Sequence, residues 1–194
     1  MLFDSQNHAY DGYQSVSEFL AKFKPDFPKD LIAERMAKRG ERTKEEILYK
    51  WELNSQISCD YGNSCHKAIE YFIKFGEKPK LHKKLVNEFS KKYDRTKLVS
   101  EIIAFNDEIK VAGTIDILEK LGNKEVNLID LKTNAEMTKE KLKDYTMQLS
   151  MYKWLLEQKG LKVKKLILEH YTSKLKTIEL KPIKIETLWQ TQSL

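Results

Sequence analysis

KLVSEIIAFNDEIKVAGTIDILEKLGNKEVNLIDLK, residues 97–132, is the stretch that decides the fold. Residues 97–105 (KLVSEIIAF) and 109–119 (IKVAGTIDILE) are rich in β-branched side chains and flank Asn106-Asp107. That arrangement predicts a β-hairpin, although Asn-Asp is a weaker turn pair than Asn-Gly. Gly122-Asn123 turns the chain again, and residues 125–132 (EVNLIDLK) predict a third strand.

Outside this stretch the hydrophobic period becomes helical. Upstream, Ser15-Val-Ser-Glu18 reads as a capping box before a short helix, FLAKF. After Pro25 and Pro28, DLIAERMAKRG (residues 30–40) predicts a second helix that stops at Gly40. Thr43-Lys-Glu-Glu46 is another capping box, opening a long helical pattern through Ile47, Trp51 and Ile57 to Ile69, Phe72 and Ile73. A break is expected near Tyr61-Gly62, an end at Gly76 and Pro79, and a further helix within residues 80–93. Downstream, residues 138–158 predict an amphipathic helix ending at Gly160, followed by two strands at 163–172 and 174–181. Helices, hairpin, strand, helix, strands: the order predicts an α/β fold with a mixed central sheet flanked by helices. The 194 residues are expected to form a single domain, with an N-terminal helical segment at 15–58 and a core at 59–181.

Composition narrows the function. Lys plus Arg number 35 against 29 Asp plus Glu, a net charge of +6. A pI near 9.0 leans toward a polyanionic partner. No apolar run is long enough for a membrane helix. The N-terminus MLFDSQNHAYDGYQ shows neither a signal-peptide nor a transit-peptide pattern. Two cysteines, Cys59 and Cys65, are too few for a disulfide framework, so a reducing, intracellular compartment is expected.

The third strand carries the most suggestive chemistry. Asp130 and Lys132 are two apart and share a strand face, where a carboxylate can hold a divalent cation beside a positive charge. The plainer alternative is an edge ion pair, worth at most about 1 kcal/mol. Asp116 lies among apolar neighbours, as buried acids do when paired or metal-bound; a solvated strand terminus is the alternative. Gly113 suggests a bulge or a close backbone approach. Glu101, in the neighbouring strand, adds a third carboxylate if the hairpin register sets it on the face of Asp116. His66 and Glu70 are four apart on a helix, a face able to ligate or support a metal, or a common surface pair. Cys65 reads as a small buried residue. Gln148 and Tyr152 share a face suited to a nucleic-acid backbone or base, while Tyr145, Leu149, Tyr152 and Leu156 also fit a core stripe. The lysines at 74, 78, 80, 83, 84, 91 and 92 form a solvated face from which some can neutralise phosphates.

The order of these short motifs is more specific than any one of them. G-x-x-x-H-x-x-x-E (Gly62 to Glu70) precedes Ser100-Glu101, then Gly113-Thr-Ile-Asp116, Asp130-Leu-Lys-Thr133 and Gln148-Leu-Ser-x-Tyr152. The series resembles the RecB-type branch of the PD-(D/E)xK nuclease superfamily, and most of all its single-domain members related to phage exonucleases and the mitochondrial genome maintenance exonucleases. The resemblance spans about residues 15–172, including Ser15-Val-Ser17 and the Trp51 helix. It implies a restriction-endonuclease-like core. It implies His66, Asp116 and Asp130 as metal ligands with the Leu131 carbonyl, Lys132 as the catalytic lysine, and Glu70 and Glu101 in support. Asp130 stands where many relatives carry Glu, a mild departure.

The cofactor so implied is Mg²⁺ or Mn²⁺, both suited to oxygen ligands and the second more tolerant of imidazole. An iron–sulfur cluster needs four cysteines and is excluded. The implied activity is a metal-dependent DNA exonuclease acting on single strands or DNA ends, in recombination, replication or repair. The alternatives are a structure-dependent endonuclease with the same site, a catalytically inactive nucleic-acid-binding protein, and an α/β interaction domain. The implied setting is the cytoplasm of a bacterial or phage-infected cell, with phage or host recombination and replication proteins as partners. In such exonucleases the N-terminal helices arch over the site. Arg35, Arg39 and Arg42 would then grip phosphates, with Tyr49 and Trp51 either on bases or packed in the helical layer.

Overall fold

Both capping boxes form. Ser15 and Glu18 exchange side-chain and backbone bonds at the start of α1 (Val16–Ala21), and Thr43 and Glu46 do so at the start of α3 (Lys44–Phe75). The structure, a computed structural model, describes residues 3–4, 9–40 and 42–190. In chain order these give β1 (Phe3–Asp4), β2 (Ala9–Tyr10), β3 (Gln14–Ser15), α1, α2 (Lys29–Ala37), α3, α4 (Lys83–Lys92), a 3₁₀ turn at Arg95–Lys97, β4 (Leu98–Asn106), β5 (Val111–Lys120), β6 (Glu125–Lys132), α5 (Lys139–Gln158), β7 (Lys162–Tyr171), β8 (Leu175–Leu180) and α6 (Glu186–Gln190).

The hairpin of β4 and β5 pairs Leu98 with Glu119 through to Asn106 with Val111. Asn106 shapes its turn by accepting the N–H groups of Glu108 and Ile109 at 2.9 and 3.0 Å. β6 lies antiparallel to β5, β7 parallel to β6, and β8 antiparallel to β7, which makes the sheet mixed. α5 is the crossover that lets β6 and β7 run parallel.

The sheet is buried on both sides. Leu128, Leu166 and Leu168 face a core shared with Leu149, Met151 and Leu155 of α5 and with Phe19 and Leu20 of α1. Ile129, Leu131 and Ile167 face a second core shared with Cys65, Ile69 and Phe72 of α3 and with Leu85 and Phe89 of α4.

Three features differ from the sequence reading. No strand was expected before residue 97, yet β3 adds to the sheet parallel to β5; two-residue strands carry no periodic signal. α6 was likewise not expected. The third difference is that α3 runs unbroken through Tyr61-Gly62. A Cβ at Gly62 would stand 3.2 Å from the Thr133 hydroxyl, so this glycine admits the end of β6 rather than interrupting the helix. Its interior position costs about 1 kcal/mol, outweighed by the tertiary packing of the helix. Gly76, in the left-handed conformation at φ 77°, ends α3 as expected.

α4 is tied down by a polar network on β7. Glu169, fully buried, accepts from Lys92 Nζ at 2.9 Å, Tyr93 Oη at 2.6 Å and Thr177 Oγ1 at 2.7 Å. A buried carboxylate is stable only when so saturated. Glu169→Ala leaves the Tyr93 and Thr177 hydroxyls without this acceptor and Lys92 with only the Leu175 carbonyl and Thr177 Oγ1, and should lower unfolding free energy by about 3 kcal/mol. Urea denaturation checks this: the midpoint falls while the slope holds, and an unchanged midpoint would show the network to be dispensable.

Candidate active site

The β5–β6 ladder runs from Lys120 with Val126 to Ile117 with Ile129 and goes no further. The next residues inward are Asp116 and Asp130. The same edge of β5 is taken up again by β3, at Val111 and Ala112. The two strands therefore part into a fork with an aspartate on each tine.

Asp116 bridges the fork. Its Oδ2 accepts the Leu131 N–H at 3.1 Å and lies 3.2 Å from His66 Nδ1. Both contacts use one oxygen. Asp130, only 4% exposed, accepts from Lys132 Nζ at its Oδ1 (3.0 Å). Its Oδ2 lies 2.8 Å from the same nitrogen but has no hydrogen-bond partner. The strand alternation thus brings Asp130 and Lys132 together as read from sequence, and α3 adds His66.

Burial and charge pull these groups in opposite directions. For Asp130, burial comes first and pushes its pKa above the ordinary carboxylate value; Lys132 opposes this and Asp116 adds to it. Asp116 is also penalised by burial, but His66, Lys132 and the Leu131 N–H hold its pKa below the usual range. Burial works against a charged His66, and Asp116 outweighs it, so the imidazole pKa is raised. The Lys132 pKa is raised as well, because Asp130 and Asp116 overcome its desolvation.

Glu101 stands across from Asp116, between the pairs Ser100–Ile117 and Ile102–Ile115. Its φ is +56°, a left-handed conformation costing a non-glycine residue about 1–2 kcal/mol. Burial, then Asp116 and Glu70, raise its pKa, as expected of carboxylates sharing one space. Glu70 itself pairs with Lys74. Glu101 and Asp116 thus line one cavity.

A cavity of about 770 Å³ opens here, lined by His66, Glu70, Glu101, Gly113 and Asp116 together with Ser15–Glu18, Asn63, Lys67, Thr114 and Tyr152. Asn63 and Lys67 were missed in the sequence. Their signal was available: residues 63, 66, 67 and 70 form one polar stripe on a helix whose other face is apolar.

Other expectations are corrected by placement. Tyr152 is 6% exposed and belongs to the core, so its ring has no face for a base and it meets the cavity from within. Gln148 is half-buried one turn earlier. Arg35, Arg39 and Arg42 are exposed, but none lines the cavity, and of the helical segment before residue 59 only Ser15–Glu18 does. α2 lies against the N-terminal half of α3, tied by Lys44–Asp30 and Lys29–Glu52 ion pairs, and α3 is exposed throughout residues 52–61. Tyr49 is 70% exposed on this hairpin, and Trp51 is half-buried.

The donors fit a divalent cation in chemistry. Asp130 Oδ2 is buried with no hydrogen-bond partner beyond its ion pair to Lys132, and burial and the neighbouring Asp116 work against its charge. His66, Asp116 and Asp130 are nevertheless not gathered into a preformed cage: among the described residues no three His, Cys, Asp or Glu side chains are. No described helix is long and apolar enough to cross a membrane.

A family model for the PD-(D/E)XK nuclease superfamily matches residues 79–188, more than half of the chain. That span holds Glu101, Asp116, Asp130, Lys132, Gln148 and Tyr152, and leaves out His66 and Glu70. No curated protein matches. Among solved structures, SSO0001 is similar over 77% of this chain and 83% of its own, at 18% identity and a TM-score of 0.40. A candidate exonuclease from Eubacterium rectale is similar over 98% of this chain and 82% of its own, at 15% identity and a TM-score of 0.48.

Gly113 lines the cavity with Tyr152 and Val16 pressed against it. A Cβ there would stand 2.8 Å from Tyr152 Oη, 2.9 Å from its Cε1 and 3.1 Å from Val16 Cγ2. Tyr152 is packed in the core and cannot swing aside, so Gly113→Ala should destabilise the protein by about 1–3 kcal/mol. The paired variant Gly113→Ala/Tyr152→Leu should recover most of that loss in thermal unfolding. Equal melting of wild type and Gly113→Ala would refute the close approach.

Proposed function

We propose, for a chain that belongs to the PD-(D/E)XK nuclease superfamily, that it is a divalent-metal-dependent DNA exonuclease working on single strands or DNA ends. The observation that carries this reading is the fork: Asp116 and Asp130 facing each other past the end of a ladder, with Lys132 on one and His66 on the other.

Asp116, Asp130, His66 and the Leu131 carbonyl would hold Mg²⁺ or Mn²⁺. When bound, such a cation polarises a scissile phosphate and acidifies a coordinated water. Lys132, kept protonated by its two acids, would orient that water and share the charge that develops on the phosphate. Glu70 and Glu101 would accept from water at the cavity wall, and Lys67 and Asn63 would meet phosphate oxygens. Ser15–Glu18 would line the path of the strand beside the α3 residues. Arg35, Arg39, Arg42 and Tyr49 would meet DNA only beyond the site, along the exposed α2–α3 hairpin. Gln148, hydrogen-bonded to Tyr152, would reach the strand only from behind that ring. The resemblance supports a cytoplasmic role in recombination, replication or repair beside phage or host proteins of those processes.

Linear single-stranded DNA should be degraded in Mn²⁺, with a closed circle of equal length resisting and a chelator stopping the reaction. Lys132→Ala should lower the rate about 100- to 1000-fold. Rapid nicking of the circle would favour the endonuclease, and cleavage by Lys132→Ala at the wild-type rate would overturn the site. Separately, calorimetry should find a Mn²⁺ site that Asp116→Asn or Asp130→Asn weakens about tenfold or more. Unchanged affinity in both variants would remove these residues from the ligand set.

A further inference from the structure

Tyr145 has a place in the fold that a core stripe does not explain. Leu149, Tyr152 and Leu156 of that stripe are buried, whereas Tyr145 is half-buried at the start of α5. Its ring lies under the Lys132 ammonium, with Nζ 5.0 Å from the ring centroid. Its hydroxyl donates to Asn134 Oδ1 at 3.2 Å. The Asn134 carbonyl in turn accepts from His170 Nε2 at 2.7 Å. His170 is the register partner of Lys132 between β6 and β7. The contacts therefore close on themselves. They leave the Lys132 backbone across the sheet, pass through His170 and Asn134 to Tyr145, and return to the Lys132 side chain.

We propose that Tyr145 is a positioning residue for Lys132, its ring face holding the ammonium against Asp130 while Asn134 and His170 fix the ring. A lysine stem has four rotatable carbons and three mobile donors, so an ammonium does not stay at one carboxylate oxygen unaided. The face of a tyrosine attracts a cation, most strongly where water is excluded, and Lys132 is largely buried. Leucine at position 145 would keep the apolar packing on the core and lose the ring face. Phenylalanine would keep the face and lose the tether to Asn134. The role rests on the nuclease reading for its kinetic consequence and on the geometry alone for its spectroscopic one.

The test uses the full chain with ¹³C-labelled lysine, the Lys132 signal being identified by its loss in Lys132→Ala. In the wild type, the Lys132 ε-protons should resonate upfield of the other lysines, because they lie over an aromatic face. Tyr145→Leu should return them to the ordinary lysine position, Tyr145→Phe should retain the shift, and Asn134→Ala should reduce it. On linear single-stranded DNA with Mn²⁺, Tyr145→Leu should lower kcat about tenfold with KM held within about twofold. Tyr145→Phe should lose no more than about threefold. A Lys132 signal at the ordinary position in the wild type, or wild-type kcat in Tyr145→Leu, would overturn the proposal. A wild-type protein that shows the shift but cuts no DNA would instead overturn the nuclease reading and leave the ring contact standing.

Discussion

The hydrogen bond from the Leu131 N–H to Asp116 Oδ2 is the contact on which the site depends. Where the β5–β6 ladder stops, Leu131 still carries a buried N–H, and an unpaired one costs about 1–3 kcal/mol. A side chain takes over from the backbone there. That exchange lets the strands part without leaving an orphan donor, and it brings the carboxylate that bridges them close to His66 and Asp130. The Asp116 side chain thus closes one structure and opens another.

What gathers in the fork is electrostatically incomplete. Asp116 is held ionised by His66, Lys132 and a main-chain N–H, while burial and the same Asp116 work against ionisation of Asp130. Lys132 serves both acids while His66 supports Asp116, and one oxygen of Asp130 has no hydrogen bond beyond its ion pair to Lys132. Across the sheet, Glu169 shows how a buried carboxylate looks when its role is to hold the fold together: three donors converge on it. The contrast separates a saturated structural acid from a pair left with capacity for a cation or a phosphate.

The surroundings of the fork are strained or pared down to make room. Glu101 adopts a left-handed backbone directly opposite Asp116. Gly62 and Gly113 lie where any Cβ would press on Thr133 or Tyr152, one in the middle of a helix and one in a strand. Each departs from what its own secondary structure prefers, and each borders the same cavity or the end of β6. Departures of this kind persist only where the rest of the fold over-determines them. Here the two apolar cores, one on each face of the sheet, supply that constraint.

Much of this was legible in the chain. Alternation and turn residues placed β4, β5 and β6 to within a residue or two, and β6 was bounded as read. Ser15, Thr43 and Gly76 marked helix ends because capping is a local exchange of hydrogen bonds. A spacing of two was enough to bring Asp130 and Lys132 together, and a spacing of four put His66 and Glu70 on one helix face. What the chain did not reveal are the relations set by packing between distant segments. Gly62 gives room to Thr133 within an unbroken α3, and β3 pairs on the edge that β6 vacates. The arginines of the N-terminal hairpin stand away from the cavity, and Tyr145, packed at the margin of the core, turns its ring toward Lys132. Local hydrogen bonding and period are written into neighbouring residues. Where a strand ladder stops, and which buried group must then satisfy the backbone, is decided only when all the strands compete for the same edges.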